Sequence, residues 1–205
     1  MGNATSGICF RAVCPRDLEQ LGHLFQQQWA AHLPEAAGKL AGQIDICSYL
    51  AETNWSLAAE RNGLILGAAL LSFTDVAPDA EWASRREKLL AEAARDPELL
   101  ADVRRDVDFI EEEAAVADDY ISGGGVGAGA ELKLLIVNPD AKGMGLGAHL
   151  FDAACEIAAA HADGIFLITD DDCDFGFYEH KGMKRRVTRE IADDCHIYVY
   201  AQELS

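Results

Sequence analysis

The sequence predicts an α/β fold in which a mixed, mainly antiparallel sheet carries helices on both faces, with a helical insertion between two strands. Two apolar runs joined by an Asn-Gly pair predict an antiparallel hairpin. Apolar strand-like segments elsewhere alternate with amphipathic helical segments. The strongly charged segment 79–129 interrupts this alternation and predicts the insertion. The length of 205 residues fits one domain, which we predict to span 1–205.

The composition is that of a globular protein with an acidic surface. Half of the residues are hydrophobic, and 35 Asp and Glu against 17 Lys and Arg leave a formal net charge of −18. Nucleic acids and anionic membranes bind through basic residues, so neither is an expected partner. A cationic partner or substrate is favoured, although acidic surfaces also serve solubility alone.

The cysteines predict neither disulfides nor a zinc site. They show no CxxC pair and occupy Cys9, Cys14, Cys47, Cys155, Cys173 and Cys195. No apolar signal segment opens the chain, so we expect a cytoplasmic protein with reduced thiols. Residues 1–6 match a myristoylation pattern, and Asn3-Ala4-Thr5 matches a glycosylation pattern, but both patterns recur by chance.

The first third of the chain predicts one strand, two helices and the hairpin. Apolar alternation predicts a strand at 9–13, and apolar residues at helical spacing predict a helix from Leu18. A weaker helical pattern covers 34–51. The runs 55–61 and 64–73 flank the Asn-Gly pair, which favours a two-residue type I′ turn because both residues tolerate positive φ.

The sequence of the insertion predicts two helices followed by a glycine link. Its leucines, valines and Ile110 lie among 14 acidic and 6 basic residues of 79–119, and Asp96-Pro97 breaks the helical pattern. The glycine-rich segment 123–129 follows and predicts a flexible link, since glycine loses the most entropy on ordering.

The last third predicts a buried strand at 131–137, a helix through Leu150 and Ile157, and a second buried strand at 165–169. A short helix at 175–180 and a closing strand at 197–200 complete the pattern.

The turn between the strand at 131–137 and the next helix predicts an anion site. Alternating glycines let backbone N–H groups approach phosphate oxygens, and a helix N-terminus adds partial positive charge. A glycine-rich turn chosen for tight packing remains the alternative. The chain lacks GxxxxGK[ST], and these glycines follow an antiparallel hairpin, so neither a P-loop nor a dinucleotide fold is favoured.

This turn resembles the signature of the GNAT superfamily of acyl-CoA-dependent N-acetyltransferases, Gln/Arg-x-x-Gly-x-Gly/Ala. The matching residues are Lys142-Gly143-Met144-Gly145-Leu146-Gly147-Ala148, and Lys142 keeps the positive charge without the planar fork of arginine. Val137-Asn138-Pro139 fits the end of the preceding strand. Gly176-Phe177-Tyr178-Glu179-His180-Lys181-Gly182-Met183 resembles the family's FYxxxGF element. The likeness covers nearly all elements outside 79–129 and implies a GNAT-like fold.

The resemblance implies acetyl-CoA as co-substrate. The backbone N–H groups that would hold the CoA pyrophosphate belong to Gly143, Met144, Gly145, Leu146, Gly147 and Ala148. Leu135, Ile136 and Val137 would pair along the pantetheine arm, where an N–H would polarise the thioester carbonyl. Tyr178 matches the position of the general acid that protonates the leaving thiolate; its alternative role is an aromatic wedge in the core.

Amine acetylation also needs a base, because only the neutral amine has a lone pair for attack. Glu131 precedes Lys142 by eleven residues, and histone-type members of the family carry a general-base glutamate at the corresponding place. The alternative is a solvated charge at the start of the strand.

The acidic run 170–174 lacks the glycine and glutamate of a calcium loop, and the histidines show no metal spacing, so we expect no metal. Helix capping ahead of Phe175 is the predicted role of the run. Cys173 lies among three carboxylates, which disfavour a thiolate nucleophile.

We therefore predict an N-acetyltransferase that moves an acetyl group from acetyl-CoA to a primary amine, of a small molecule or protein, by direct attack in a ternary complex. The alternative is a non-catalytic acyl-CoA or ligand-binding module on the same fold. We expect the insertion, through Glu111, Glu112 and Glu113, to form a mobile wall that favours cationic amines. A solvated helical face for packing or homodimerisation is the competing interpretation.

Overall fold

The computed structural model describes residues 7–73, 77, 79–192 and 194–204. The two modification patterns within residues 1–6 lie outside this part. Seven strands form one sheet in the order β1-β2-β3-β4-β5-β7-β6. They are β1 Cys9–Arg11, β2 Trp55–Arg61, β3 Leu64–Phe73, β4 Ala130–Val137, β5 Gly164–Asp170, β6 Lys184–Ala192 and β7 Cys195–Glu203. All neighbouring pairs are antiparallel except β4 and β5, which confirms the predicted mixed sheet.

The predicted hairpin forms between β2 and β3 with the predicted bounds. Arg61 pairs with Leu64, and the two turn residues Asn62 and Gly63 have φ of 55° and 81°. Positive φ at both positions is the geometry of a type I′ turn, whose twist matches that of the flanking strands.

The described residues form six α-helices, which are α1 Leu18–Gln28, α2 Glu35–Ala51, α3 Ala80–Ala93, α4 Pro97–Ser122, α5 Leu146–Ala159 and α6 Phe175–His180. Helices α1 and α2 bury Leu24 and Ile46 against Leu70 and Ile136 of the sheet. Helix α5 buries its apolar residues in a separate cluster that contains Leu71 and Leu132. No helix within the described ranges is long and apolar enough to cross a membrane.

The insertion consists of α3 and α4, and it packs mainly on α2. The break between them lies where the sequence predicts it. Asp96 accepts hydrogen bonds from the N–H groups of Glu98 and Leu99, and Pro97 occupies the first turn of α4, where no N–H is needed. Farther along, Val116 of α4 packs against Phe166 of β5, which ties the insertion to the sheet.

Strand β6 was not predicted, because its sequence carries charge at most positions. It is one of the two outer strands of the sheet, pairs with β7, and exposes Lys184, Arg185 and Arg186. Charged residues on an outer strand discourage pairing with other chains. Only Val187 and Ile191 of β6 turn towards the core, so the usual apolar alternation is weak.

The prediction of a flexible glycine link at 123–129 is wrong. The Tyr120 hydroxyl donates to the Val126 carbonyl at 2.9 Å, and the Tyr120 ring lies where a side chain at Gly125 would be. A Cβ at Gly127 would lie 2.5 Å from the backbone nitrogen of Ile165. Gly125 and Gly127 therefore permit close packing, and the segment is held at these two positions.

Gly127→Ala should destabilise the protein by about 3 kcal/mol, because it adds a clash to a φ of +72°. Gly124→Ala is the matched control: its φ is +66°, but a Cβ there meets no atom within 4 Å. The control should cost about 1 kcal/mol. Urea unfolding measures the free energy of unfolding of the two variants. Equal losses of stability in Gly127→Ala and Gly124→Ala would support the flexible-link interpretation.

Candidate active site

Strand β4 carries a β-bulge on its β3 side and separates from β5 on its other side. Leu134 pairs with Leu70 and Leu132 pairs with Leu71, so Lys133 between them has no partner on β3. On the other side, β4 pairs with β5 in parallel only at Glu131 and Phe166. Beyond that pair the two strands are unpaired, and a cavity lies at this opening.

The cavity has a volume of about 260 Å³. Strands β4 and β5, helices α1, α2, α4 and α6, and the segment that carries His32 contribute to its lining. The aromatic and aliphatic lining residues include Phe25, Trp29, Phe109, Ile110, Leu134, Leu135 and Ile168. The carboxylates are Asp45, Asp106, Glu113, Asp170 and Asp172. An acidic site with apolar walls suits an organic cation.

Tyr178, one of the two predicted catalytic residues, lines this cavity. Its ring packs against Phe151 and Phe177, with centroids 6.2 and 5.4 Å away. Burial, with the nearby Cys173 and Asp174, raises the pKa of its phenol above the ordinary value. The phenol therefore stays protonated at neutral pH and can donate a proton.

Glu131, the predicted base, lies in a neighbouring cavity of about 50 Å³. It is 7% exposed, and Lys133 Nζ lies 3.0 Å from its carboxylate and 2.7 Å from that of Glu52. Burial raises the pKa of Glu131, while Lys133 opposes the rise. The structure thus does not bring Glu131 and Tyr178 together in one cavity.

Glu113 of α4 lines both cavities and was not singled out as a base in the sequence. The Tyr49 hydroxyl donates to its Oε2 at 3.1 Å. Burial raises the pKa of Glu113 to about 8, and the charge of Asp170 adds to the rise. The sequence could have indicated Glu113, because Asp106, Phe109, Ile110 and Glu113 recur at the spacing of one helical face.

The insertion therefore does form a wall of the cavity, through one of the three expected glutamates and through Asp106, Phe109 and Ile110, which were not expected there. Glu113 lines the cavity, whereas Glu111 lies 3.6 Å from Arg86 and Glu112 is exposed.

The acidic run at 170–174 does not cap α6 as predicted. Asp174 precedes the helix but accepts no side-chain capping bond. Asp171 instead accepts hydrogen bonds from the His196 N–H and the Tyr198 hydroxyl, which fixes the loop to β7. Burial and the charge of Asp170 raise the pKa of Cys173 to about 12, so its thiol stays protonated.

The glycine turn presents unpaired donors at the N-terminus of α5. Among the described residues, no hydrogen bond is formed by the N–H groups of Gly143, Gly145, Leu146, Gly147 and Ala148. Gly145 adopts a φ of 74°, and a Cβ there or at Gly143 would meet no atom within 4 Å. Free N–H groups, the helix dipole and open space fit the phosphates of a ligand.

The other residues predicted around this turn have differing environments. The Met144 N–H already donates to the Ala141 carbonyl at 3.2 Å, so it is engaged within the turn. Lys142 is exposed. The side chain of Ile136 is buried in the core, whereas Leu135 lines the cavity. The Val137 carbonyl accepts from Gln28 Nε2 at 3.2 Å.

Comparisons with known proteins agree with this geometry. The profile of the Acetyltransferase (GNAT) family matches residues 18–183. The structure is similar to Ard1 from Thermoplasma volcanium, with a TM-score of 0.60 and 14% identity over 97% of this chain and 99% of that chain. It is also similar to arylalkylamine N-acetyltransferase 2 from Aedes aegypti, with a TM-score of 0.57 and 16% identity over 97% and 99% of the two chains.

A third similar structure is the ribosomal-protein-S18-alanine N-acetyltransferase from Escherichia coli, with a TM-score of 0.55 and 14% identity over 97% of this chain and 94% of that chain. No curated protein matches the sequence. At these identities the structures show a shared fold, and the family profile covers most of the chain. The chain therefore belongs to the GNAT family of acetyltransferases.

Proposed function

We propose that this protein transfers an acetyl group from acetyl-CoA to a primary amine by direct attack in a ternary complex. The observation that carries the proposal is the acidic cavity at the opening between β4 and β5, with the Tyr178 phenol in its wall. In the reaction an ammonium loses a proton, the amine nitrogen forms a bond to the acetyl carbon, and the carbon–sulfur bond breaks. The products are an N-acetyl amine, CoA thiol and the released proton.

The N-terminus of α5 would hold the pyrophosphate of CoA. The unpaired N–H groups of Gly143, Gly145, Leu146, Gly147 and Ala148 would donate to phosphate oxygens, helped by the helix dipole. The backbone of Leu135, Ile136 and Val137, on the side of β4 that β5 leaves unpaired, would pair with the pantetheine arm. Acetyl-CoA itself supplies an acetyl group activated as a thioester.

Glu113 is the residue that we assign to proton removal from the ammonium. It lines the main cavity, and with a pKa of about 8 it exists in both protonation states near neutral pH. Glu131, the residue indicated by the family resemblance, is held by Lys133 in the neighbouring cavity. Tyr178 would return a proton to the leaving sulfur.

Gly145→Val should weaken acetyl-CoA binding by more than about tenfold, because a side chain would occupy the space in front of the free N–H groups. The substitution also strains a φ of 74°. Gly124→Val is the control, since it introduces the same strain at a φ of 66°, far from α5 in sequence. Calorimetry on folded protein measures both, and unchanged affinity in Gly145→Val would exclude this turn as the pyrophosphate site.

A screen of primary amines with acetyl-CoA tests the proposed function. We expect thiol release that depends on the amine, together with an N-acetylated product identified by mass spectrometry. Acetyl-CoA binding without thiol release for any amine would favour the binding-module alternative. Thiol release without an acetylated amine would contradict amine transfer.

A further inference from the structure

A pair of carboxylates lies in the cavity in addition to the acid and base that acetyl transfer requires. Asp45 belongs to α2 and Asp106 belongs to α4, and both line the cavity. Asp45 is only 1% exposed, and neither of its carboxylate oxygens has a hydrogen-bond partner among the described residues.

An unpartnered buried carboxylate is costly, because it gives up hydration without gaining hydrogen bonds. Burial and the neighbouring charges of Asp106 and Glu113 raise the pKa of Asp45. A cation bound in the cavity would supply the missing donors and the opposite charge. The arrangement therefore indicates a ligand with a positively charged group at this end of the cavity.

The protein's own cations near Asp45 are largely engaged elsewhere. Arg86 donates to Ser48 Oγ at 2.9 Å, and Arg105 lies 3.3 Å from Asp102. The charge of Arg86 lowers the pKa of Asp45, but Arg86 makes no hydrogen bond to the Asp45 carboxylate.

The remaining basic groups of the cavity lining, His32 and Lys133, do not neutralise its carboxylates. His32 Nε2 is 3.9 Å from Asp106 Oδ1, which is too long for a hydrogen bond. Lys133 lies between Glu52 and Glu131.

The cavity has two acidic regions with apolar surface between them. Asp106 and Glu113 are seven residues apart on one face of α4, which corresponds to about 10 Å along the helix axis. Phe109 and Ile110 lie between them on that face and line the cavity. We group Asp45 with Asp106, because the charge of Asp106 raises the pKa of Asp45 more than the charge of Glu113 does. This pattern matches two ammonium groups joined by an aliphatic chain.

We propose that the acceptor is an aliphatic diamine or polyamine, whose reacting ammonium lies at Glu113 and whose far ammonium lies between Asp45 and Asp106. This inference rests on the proposed function and specifies its substrate class. Asp45 and Asp106 act as specificity-determining residues, because they bind the part of the acceptor that does not react. The insertion supplies Asp106 and Glu113 and α2 supplies Asp45, so selection of the dication needs both elements.

Three five-carbon amines that differ at the far end test the proposal: cadaverine, pentylamine and 5-aminopentanoic acid. With acetyl-CoA present, we expect kcat/KM for cadaverine to exceed that for pentylamine by at least about tenfold, since a charge-assisted hydrogen bond is gained. The amino acid should be the poorest substrate, because its carboxylate would face Asp45 and Asp106. Equal values for cadaverine and pentylamine would overturn the proposal.

Asp45→Asn and Asp106→Asn should each lower kcat/KM for cadaverine towards that for pentylamine, while leaving pentylamine itself within about twofold. The exposed Glu112→Gln on α4 is the matched control and should change neither value. Two independent variants keep the test valid if one of them folds poorly. Loss of activity that is equal for both probes would show a structural role and would contradict the proposal.

Calorimetry of cadaverine with the protein separates this inference from the proposed function. If no amine is acetylated, the proposed function fails. Cadaverine binding that Asp45→Asn removes would still support the dication site. Absence of cadaverine binding to the parent protein would contradict the site whatever the activity.

Discussion

Glu113→Gln should lower kcat/KM for amine acetylation by about 10²-fold or more, because glutamine cannot accept the proton of the ammonium. The substitution keeps the size of the side chain and an oxygen to accept from the Tyr49 hydroxyl, which donates to Glu113 Oε2 at 3.1 Å. Steady-state kinetics with a fixed, saturating concentration of acetyl-CoA measures the effect. Glu131→Gln should have a smaller effect, since Glu131 lies in the neighbouring cavity.

The pH dependence gives this prediction its second readout. The active form of the base is the carboxylate, so kcat/KM of the parent should rise with pH, reach half its maximum near the Glu113 pKa of about 8 and level off above it. The residual activity of Glu113→Gln should lack this rise. A larger loss in Glu131→Gln than in Glu113→Gln would reassign the base to Glu131.

Stability serves as the control for folding of the Glu113 variant. The pKa of Glu113 is raised from 4.5 to about 8, so between these values the native state binds more protons than the unfolded state. This group therefore lowers stability as pH rises through that window. Glu113→Gln removes the ionisable group, and at pH 8 the variant should resist urea at least as well as the parent. Lower stability at that pH would attribute the lost activity to misfolding.

Tyr178→Phe should lower kcat by about 10²-fold while leaving the affinity for acetyl-CoA nearly unchanged. The phenylalanine ring retains the packing of Tyr178 against Phe151 and Phe177, and only the hydroxyl is lost. The raised pKa of this phenol means that it remains a proton donor through neutral and mildly alkaline pH. Assays of thiol release over time measure kcat, and calorimetry measures the affinity for acetyl-CoA.

Tyr120→Phe is the matched control for loss of a tyrosine hydroxyl. Tyr120 lies on α4, and its hydroxyl donates to the Val126 carbonyl, away from the cavity lining. The control should cost about 1 kcal/mol of stability and leave kcat unchanged. Equal turnover by Tyr178→Phe and the parent would return Tyr178 to a packing role.

Several elements could be predicted from the sequence because their cause lies within a few neighbouring residues. The positive φ values of Asn62 and Gly63 determine the hairpin turn, and Asp96 with Pro97 determines the start of α4. The alternating glycines at 143–147 likewise indicated a turn at the start of α5, and Gly143 and Gly145 adopt positive φ there. Each of these signals is local, and each is confirmed by the backbone that the structure shows.

The errors concern residues whose role depends on distant partners. The glycines at 123–129 resemble a flexible link in the sequence, yet Tyr120 and Ile165 pack against them. Strand β6 carries too much charge for an apolar pattern, and it forms because β7 offers an unpaired edge. The role predicted for Glu131 stays a prediction: it lies on the expected strand, paired with Lys133 in the neighbouring cavity, which the sequence did not indicate.

By itself the sequence determined the order of the elements other than β6, the glycine turn ahead of α5, the place of Tyr178 on α6 and the acidity of the insertion. Only the tertiary structure decided which carboxylates meet: it brings Asp45 of α2, Glu113 of α4 and Asp170 of β5 to one cavity. Local patterns depend on backbone geometry and burial over a few residues. The ionisation of a carboxyl depends instead on burial and charges contributed by other elements, which no local pattern encodes.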